Sequence, residues 1–164
     1  MVFIYKTFIK SLGLVNVMQE LYIFGVIWVA MIAHSFWESS VEGKNAWDKN
    51  KYGWKWQIAH NISLTRYHFW LFFVHLPIII IILPMVVAGF SVKLFGVLLS
   101  AYTSGLVIED FFWFIVNTEL KFKEAWHPIF ASYYPWLVIG KFRIPLIYIF
   151  GIVISILSWF LFVS

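Results

Sequence analysis

Residues 69–90 read FWLFFVHLPIIIIILPMVVAGF, a stretch without Asp, Glu, Lys or Arg. About 20 apolar residues in a helix, at about 1.5 Å rise per residue, cross the roughly 30 Å hydrocarbon core of a bilayer. A helix also satisfies its own backbone polar groups within one segment, which a bilayer requires. We therefore interpret this stretch as a transmembrane helix. Pro77 and Pro84 predict a kink in it, with freed carbonyl groups that face neighbouring helices.

Three further apolar stretches of similar length lie at 18–37, 94–116 and 144–163. The chain of 164 residues is 62% apolar and 12% charged, whereas soluble domains contain about 45–50% and about 25%. The predicted fold is an all-α, polytopic membrane protein, in which residues 1–164 form a single membrane domain built as a four-transmembrane-helix bundle. Three alternatives stay open for the first 17 residues. They span the membrane, they lie on it as an interfacial helix, or they extend away from it.

The orientation of the bundle follows from its basic residues. With four spans, the side that carries both termini holds three of the Lys and Arg residues, and the other side holds nine. The positive-inside rule then places the loops at about 43–66 and 118–142 in the cytoplasm and both termini on the non-cytoplasmic side. This distribution explains the net charge of +4 without nucleic-acid binding, for which no basic helix or RNA-binding motif argues.

Acidic and histidine side chains converge on the predicted cytoplasmic half. Glu109 and Asp110 lie inside the third span, where charged groups cost several kcal/mol unless they are paired, ligated or wet. They also repel each other unless a proton, a metal or a protonated histidine neutralises them. We therefore predict that this pair is catalytic.

Histidine and carboxylate groups together suit Zn²⁺, Fe or Mn, and helical bundles bind such metals from facing helices. Because the chain contains no Cys, thiolate-bound zinc and Fe–S clusters are excluded. His34, Glu38 and Glu42 share one helix face at i, i+4 and i+8. For His34 and His75 a cap by a backbone carbonyl or a neighbouring helix is an equal alternative, and for Glu42 an interfacial position beside Lys44 is favoured. The predicted metal ligands are Glu38, His68, His75, Glu109, Asp110 and His127.

Four short sequence motifs are similar to those of a known group of proteins. They are WESSVEGKNAW at 37–47, TRYH at 65–68 with VHLP at 74–77, EDFFWFIVN at 109–117, and WH at 126–127. Over roughly residues 35–135 the chain resembles a family of small uncharacterised prokaryotic four-span membrane proteins, although Thr118 stands where that family has Pro. The resemblance implies a fold and a residue set, but no reaction. The acidic pair before aromatic residues is also similar to small membrane cyclases of the carotenoid and terpenoid type.

The sequence leaves several functions open. One is a metal-dependent enzyme that acts on a lipid or isoprenoid substrate at the cytoplasmic face, and another is a metal-free acid–base isomerase or cyclase. A third is a non-enzymatic small subunit or assembly partner of a larger membrane complex. An ion-coupled transporter is a fourth, and it needs a homo-oligomer to enclose a pathway. The predicted partners are therefore the bilayer, a lipid or isoprenoid, and further subunits.

Overall fold

A computed structural model describes residues 14–44, 53–59, 62–132 and 134–164, and the side chains of these except 14–16, 59, 62 and 63. The helices are α1 (Leu14–Glu42), α2 (Arg66–Ala88), α3 (Val92–Val116), the short α4 (Phe122–Ala125) and α5 (Leu146–Phe162). Three of them are long and apolar enough to cross a membrane, namely Val17–Glu42, Arg66–Ala88 and Val92–Val116. The fourth apolar helix, α5, has 17 residues. The helical, membrane-type character of the predicted fold is therefore confirmed.

Helix α3 is the central helix of the molecule. Half of its most apolar window is buried inside the protein, against 17% for α1 and 6% for α2. Its residues Leu98, Ala101 and Tyr102 form a core cluster with Met31 of α1 and Ile81 of α2. The outer faces of α1 and α2 remain apolar and exposed, with Val26 at 70% and Phe73 at 65%, as expected for surfaces that contact lipid.

Helix α2 departs from regular α-helical geometry on both sides of Pro77. Its segments Phe69–His75 and Ile78–Ile82 are π-helical, and the amide of Leu76 donates to the carbonyl of Leu71. In this pattern of i to i−5 bonds the carbonyl of Phe72 would need the amide of residue 77, which a proline lacks. The Tyr102 hydroxyl of α3 donates to that carbonyl instead, at 2.5 Å. The prediction that proline frees a carbonyl toward a neighbouring helix is confirmed here.

Small residues allow α5 to pack closely against α3. A Cβ on Gly96 would lie 2.4 Å from Cβ of Phe162, and one on Gly151 would lie 2.6 Å from Cγ2 of Val107. Between these contacts, the Ser100 hydroxyl donates to the Ser155 carbonyl at 2.8 Å and the Ser155 hydroxyl donates to the Ser100 carbonyl at 2.9 Å. Small residues and reciprocal hydroxyl bonds are typical of helix packing in membranes. The pairing also shows that α5 runs antiparallel to α3.

The C-terminal ends of α1 and α3 are joined to each other. Helix α1 ends at Glu42 and is followed by Gly43, which adopts φ +57°, a left-handed conformation that glycine adopts at little cost. The Asn117 side-chain amide donates to the Gly43 carbonyl at 2.7 Å, and its carbonyl oxygen accepts from the Glu119 amide at 2.9 Å. Helices α1 and α3 are therefore parallel to each other, and α2 and α5 run in the opposite direction.

Two β-hairpins correct the all-α prediction: the first lies within the predicted loop 43–66, and the second crosses the end of the predicted loop 118–142 into the predicted span 144–163. Strands β1 (Lys55–Ala59) and β2 (Ile62–Thr65) pair antiparallel before α2, and β3 (Trp136–Ile139) and β4 (Phe142–Pro145) pair antiparallel before α5. The second hairpin turns through Gly140 at φ +61°, a conformation that favours glycine. The predicted N-terminal interfacial helix falls mainly on residues 1–13, outside the described residues.

Candidate metal centre

The last turns of α1 bring two glutamates to the interior. The apolar stretch ends at residue 37, but the helix continues to Glu42, so that Glu38 and Glu42 lie one turn apart on one face. Their exposed fractions are only 4% and 7%. The prediction that Glu42 is interfacial beside Lys44 is therefore wrong, because the side chain faces the packed interior of the bundle.

His68 reaches both glutamates from the start of α2. Its Nε2 lies 3.8 Å from Oε1 of Glu38 and 3.5 Å from Oε1 of Glu42, and the residue is 4% exposed. Thr65, the last residue of β2, caps α2, and its hydroxyl lies 2.6 Å from Nδ1 of the same imidazole. The first hairpin therefore fixes the position at which His68 enters the cluster.

Glu109 enters the cluster from α3 and is 2% exposed. Its carboxyl group lies close enough to that of Glu38 to share a hydrogen bond. The Oε1 atoms of both glutamates, together with Nε2 of His34, are nevertheless buried without a hydrogen-bond partner. Unsatisfied polar atoms of this kind are uncommon in folded proteins and require an explanation such as a bound ion.

Two groups of side chains in this region have the spacing of metal ligands. One consists of His34, Glu38 and Glu109, and the other consists of Glu38, Glu42 and His68. Within each group, one ligand atom per residue lies within 4.8 Å of the others. The cluster is drawn from α1, α2 and α3, and Glu38 belongs to both groups.

No protein-family model, curated protein or solved structure matches this chain. The resemblance to small prokaryotic four-span membrane proteins and the likeness to membrane cyclases therefore stay predictions. The chemistry of the site must be inferred from its own geometry.

Asp110 lies beside Glu109 in the sequence but has different partners. Its carboxylate accepts hydrogen bonds from the hydroxyl of Tyr134 and, at 2.5 Å, from the hydroxyl of Tyr148 at the start of α5. Two hydroxyl donors stabilise a buried carboxylate without a metal. Neither tyrosine was a sequence candidate, because residues 24 and 38 positions away along the chain leave no periodic signal.

The other two predicted histidine ligands belong to neither group. His75 is exposed and lines an open groove with a volume of about 510 Å³, close enough to His34 for the charges of the two rings to interact. Nδ1 of His127 accepts the amide of Ile129 at 3.2 Å, within its own loop. Among the residues that the structure describes, the groups with metal-ligand spacing include neither of these histidines nor Asp110. Their assignment as ligands stays a prediction.

The arrangement supports two kinds of chemistry. Buried carboxylates that face one another either share protons or surround a cation, since two ionised groups at this separation repel strongly. Imidazole nitrogen and carboxylate oxygen are ligands for Zn²⁺, Fe and Mn. The described geometry therefore fits a divalent transition metal, bound by three residues in either group and open to additional ligands.

Proposed function

We propose that this protein is an integral membrane enzyme that binds a divalent transition metal in the cluster around Glu38 and acts on a lipid or isoprenoid. The observation that carries the proposal is the meeting of Glu38, Glu109 and His34 with buried atoms that no hydrogen bond satisfies. A metal would satisfy all three atoms at once. Bound there, it would polarise a substrate oxygen or activate water.

The membrane arrangement that we propose has four spans, including α5. A helix of 17 residues is at the lower limit of length for crossing a bilayer, and α5 packs along α3, which is long enough. The nine basic residues of the two longer loops support a position of the cluster near the cytoplasmic face,. Both termini then lie on the opposite side.

A groove beside the cluster supports a lipid as the substrate. Arg66, Tyr67, Trp70, Leu71 and His75 line its volume of about 510 Å³. Arg66, at the start of α2, offers a cation where an anionic headgroup would lie, and Trp70 offers an apolar wall for a chain.

Tyr67 connects this groove with the cluster. It lines the groove, and its buried hydroxyl lies beside the Glu38 carboxyl group. A polar headgroup in the groove would therefore meet this hydroxyl next to the proposed metal. A carboxylate of the cluster that does not bind the metal would act as the general base.

The metal content of the detergent-purified protein tests the proposal. We expect a stoichiometric transition metal in the wild-type protein and its loss in Glu38→Gln, which keeps the size of the side chain. Glu20→Gln is the matched control, because Glu20 is a buried glutamate of the same helix outside both groups. A wild-type protein that binds no transition metal after reconstitution would contradict the proposal.

Accessibility of engineered cysteines tests the orientation, since the natural chain has none. Lys141→Cys in the β3–β4 turn should be labelled only from the cytoplasmic side, and Ser164→Cys only from the other side. Labelling of both from the same side would exclude a spanning α5.

The short separation of Glu38 and Glu109 also favours a second candidate, the metal-free acid–base enzyme. Two carboxyl groups that share one proton can donate and accept it during an isomerisation or cyclisation. This alternative predicts that the enzyme keeps its catalytic activity after exhaustive treatment with a chelator. It also predicts that the Glu109→Gln variant is inactive. A subunit of a larger complex would instead copurify with stoichiometric partners and tolerate Glu109→Gln.

A further inference from the structure

The hairpin of β1 and β2 has one apolar face and one polar face. Its register pairs Trp56 with Leu64 on one face, whereas Lys55 belongs to the other face, because side chains alternate along a strand. The backbone amide of Arg66 donates to the carbonyl of Trp54 at 3.0 Å. This bond extends the ladder by one residue and adds Trp54 to the apolar face. The apolar face of this hairpin therefore consists of Trp54, Trp56 and Leu64.

The part of the chain that the structure describes leaves this apolar face open. Every residue from Gly53 to Ile58 is exposed, and the exposed fractions of Trp54 and Trp56 are 43% and 64%. A hairpin of only two strands is at best marginally stable in water unless its apolar side packs against something. We therefore expect another surface to cover the face.

The apolar face is continuous with the outer surface of α2. The ring of Trp54 lies edge-on to the ring of Phe69, with centroids 5.4 Å apart, and Phe69 stacks on Phe73 with centroids 6.2 Å apart. Phe73 is 65% exposed on a helix that is long and apolar enough to cross a membrane. From this continuity we infer that the hairpin docks on the membrane surface, with its apolar face at the boundary between lipid headgroups and acyl chains.

The backbone of the hairpin limits the depth at which it lies. Two paired strands have two open edges, and open sheet edges do not occur in the hydrocarbon core, because their polar groups need water or headgroups. Thr65 ends β2 and caps α2, so that the hairpin begins where the helix ends. Tryptophan is also enriched at the interface between a membrane and water. These features together favour the headgroup region over the hydrocarbon core.

The charges of the hairpin favour one kind of lipid. Within residues 53–59 and 62–66 the charged residues are Lys55 and Arg66, and both are basic. Neither of them takes part in the salt bridges of the described residues. Basic residues beside a membrane attract anionic headgroups. The partner that fits this surface is therefore a bilayer that contains anionic lipids.

Docking would also determine the level of the groove that Arg66 lines. A Cβ on Gly53, which adopts φ +119°, would lie 3.1 Å from Cδ of Arg66. The side chain of Arg66 therefore packs closely against the backbone of Gly53 just before β1, and a docked hairpin would hold Arg66 among the headgroups. The docking requires no metal, and it can be tested independently of the proposed enzymatic function.

Nitroxide labels on single engineered cysteines test the inference, since the natural chain has none. The full chain is reconstituted in nanodiscs of phosphatidylcholine and phosphatidylglycerol. Electron paramagnetic resonance then measures collisions of the label with oxygen, which concentrates in the bilayer, and with a water-soluble nickel complex. We expect the ratio of oxygen to nickel collisions to be several-fold higher in Trp56→Cys and Leu64→Cys than in Lys55→Cys and Gln57→Cys. The latter two are matched controls on the polar face.

Two results would overturn the docking. One is free access of the nickel complex at all four positions, which would place the whole hairpin in water. The other is low access of both reagents at residues 56 and 64, because a protein would then cover the apolar face. The elution volume and the circular dichroism spectrum of each variant verify that it is folded.

A second lipid composition tests the contribution of charge. In nanodiscs of phosphatidylcholine alone, the ratio of oxygen to nickel collisions at residue 56 should fall, since Lys55 and Arg66 lose their anionic partners. An unchanged ratio would overturn the preference for anionic lipids. A protein that shows the alternating pattern but binds no metal would retain the docking and contradict only the proposed function.

Discussion

Buried carboxylates have different kinds of partners at the two ends of the bundle. At the end where α1 begins and α3 begins, Glu20 is 8% exposed and forms an ion pair of 2.7 Å with Lys93. At the other end, Glu38 and Glu109 are at least as deeply buried but face each other and histidines. We call these the paired end and the cluster end. At the paired end, a lysine of the chain itself neutralises the buried carboxylate of Glu20.

At the cluster end, the buried glutamates are neutralised only when they bind protons or cations. Burying a charge costs several kcal/mol unless it is neutralised, so a fold would not retain such a group without a compensating ligand or function. This difference shows that a buried acidic residue by itself does not identify a functional site. What distinguishes the cluster end is the nature of the partners, because Glu20 shares its helix and its burial with Glu38.

The largest effect that we expect is on metal affinity when a cluster carboxylate is removed. Glu109→Gln should weaken binding at least about 100-fold, which corresponds to about 2.8 kcal/mol, because the amide is a neutral and weaker ligand. Competition with a metal-sensitive dye measures this affinity. Glu20→Gln, from the paired end, should stay within about twofold of the wild type. Equal losses in both variants would remove the distinction between the two ends.

A smaller loss should follow when the partner of His68 is removed. Thr65→Val deletes the hydroxyl at Nδ1 and keeps the shape of the side chain. We expect metal affinity to fall about tenfold, as for other outer-shell partners of histidine ligands. Thr65→Ser should retain most of the affinity, since it keeps the hydroxyl. Unchanged binding in Thr65→Val would show that the ring is positioned by packing alone.

Asp110 should respond in stability more than in metal binding. Tyr148→Phe removes one of its two hydroxyl donors and should lower the free energy of unfolding by about 1 kcal/mol. Denaturation in detergent measures the change, and Tyr22→Phe on the exposed face of α1 is the control. If Tyr148→Phe instead abolished metal binding with normal stability, Asp110 would belong to the ligand set.

The smallest effect should come from the paired end. Lys93 is about half exposed, with 47% of its side chain accessible, so breaking the ion pair by Lys93→Met should cost about 1 kcal/mol or less. The double variant with Glu20→Gln should recover part of that loss, because no unpaired carboxylate remains. A double-mutant cycle of thermal unfolding in detergent checks this coupling. A loss several times larger would mean that the paired end, too, is under strong electrostatic constraint.

Much of the fold could be predicted from hydrophobic length. The stretches 18–37, 69–90 and 94–116 fall within or close to the observed Val17–Glu42, Arg66–Ala88 and Val92–Val116, because about 20 apolar residues suffice to define a span. The end of α1 was missed by five residues, since helical structure continues past the apolar boundary wherever the next turns pack against the protein. The hairpins were missed because their strands of four and five residues are too short for a criterion of hydrophobic length, although Gly140 between two short apolar segments is a local turn signal,.

The candidate site was predicted in its residue types and depth, but not in its partners. The sequence by itself determined that Glu38 and Glu109 lie at the same end of the bundle, because helical rise and the positions of the spans fix depth. It also determined that His34, Glu38 and Glu42 share a face, because the period of 3.6 residues requires it. Only the tertiary structure decided that this face turns inward to His68 and Glu109, and that Asp110 turns to Tyr134 and Tyr148. The rotation of each helix about its axis depends on how all neighbouring side chains pack together, and no local pattern within one helix specifies it.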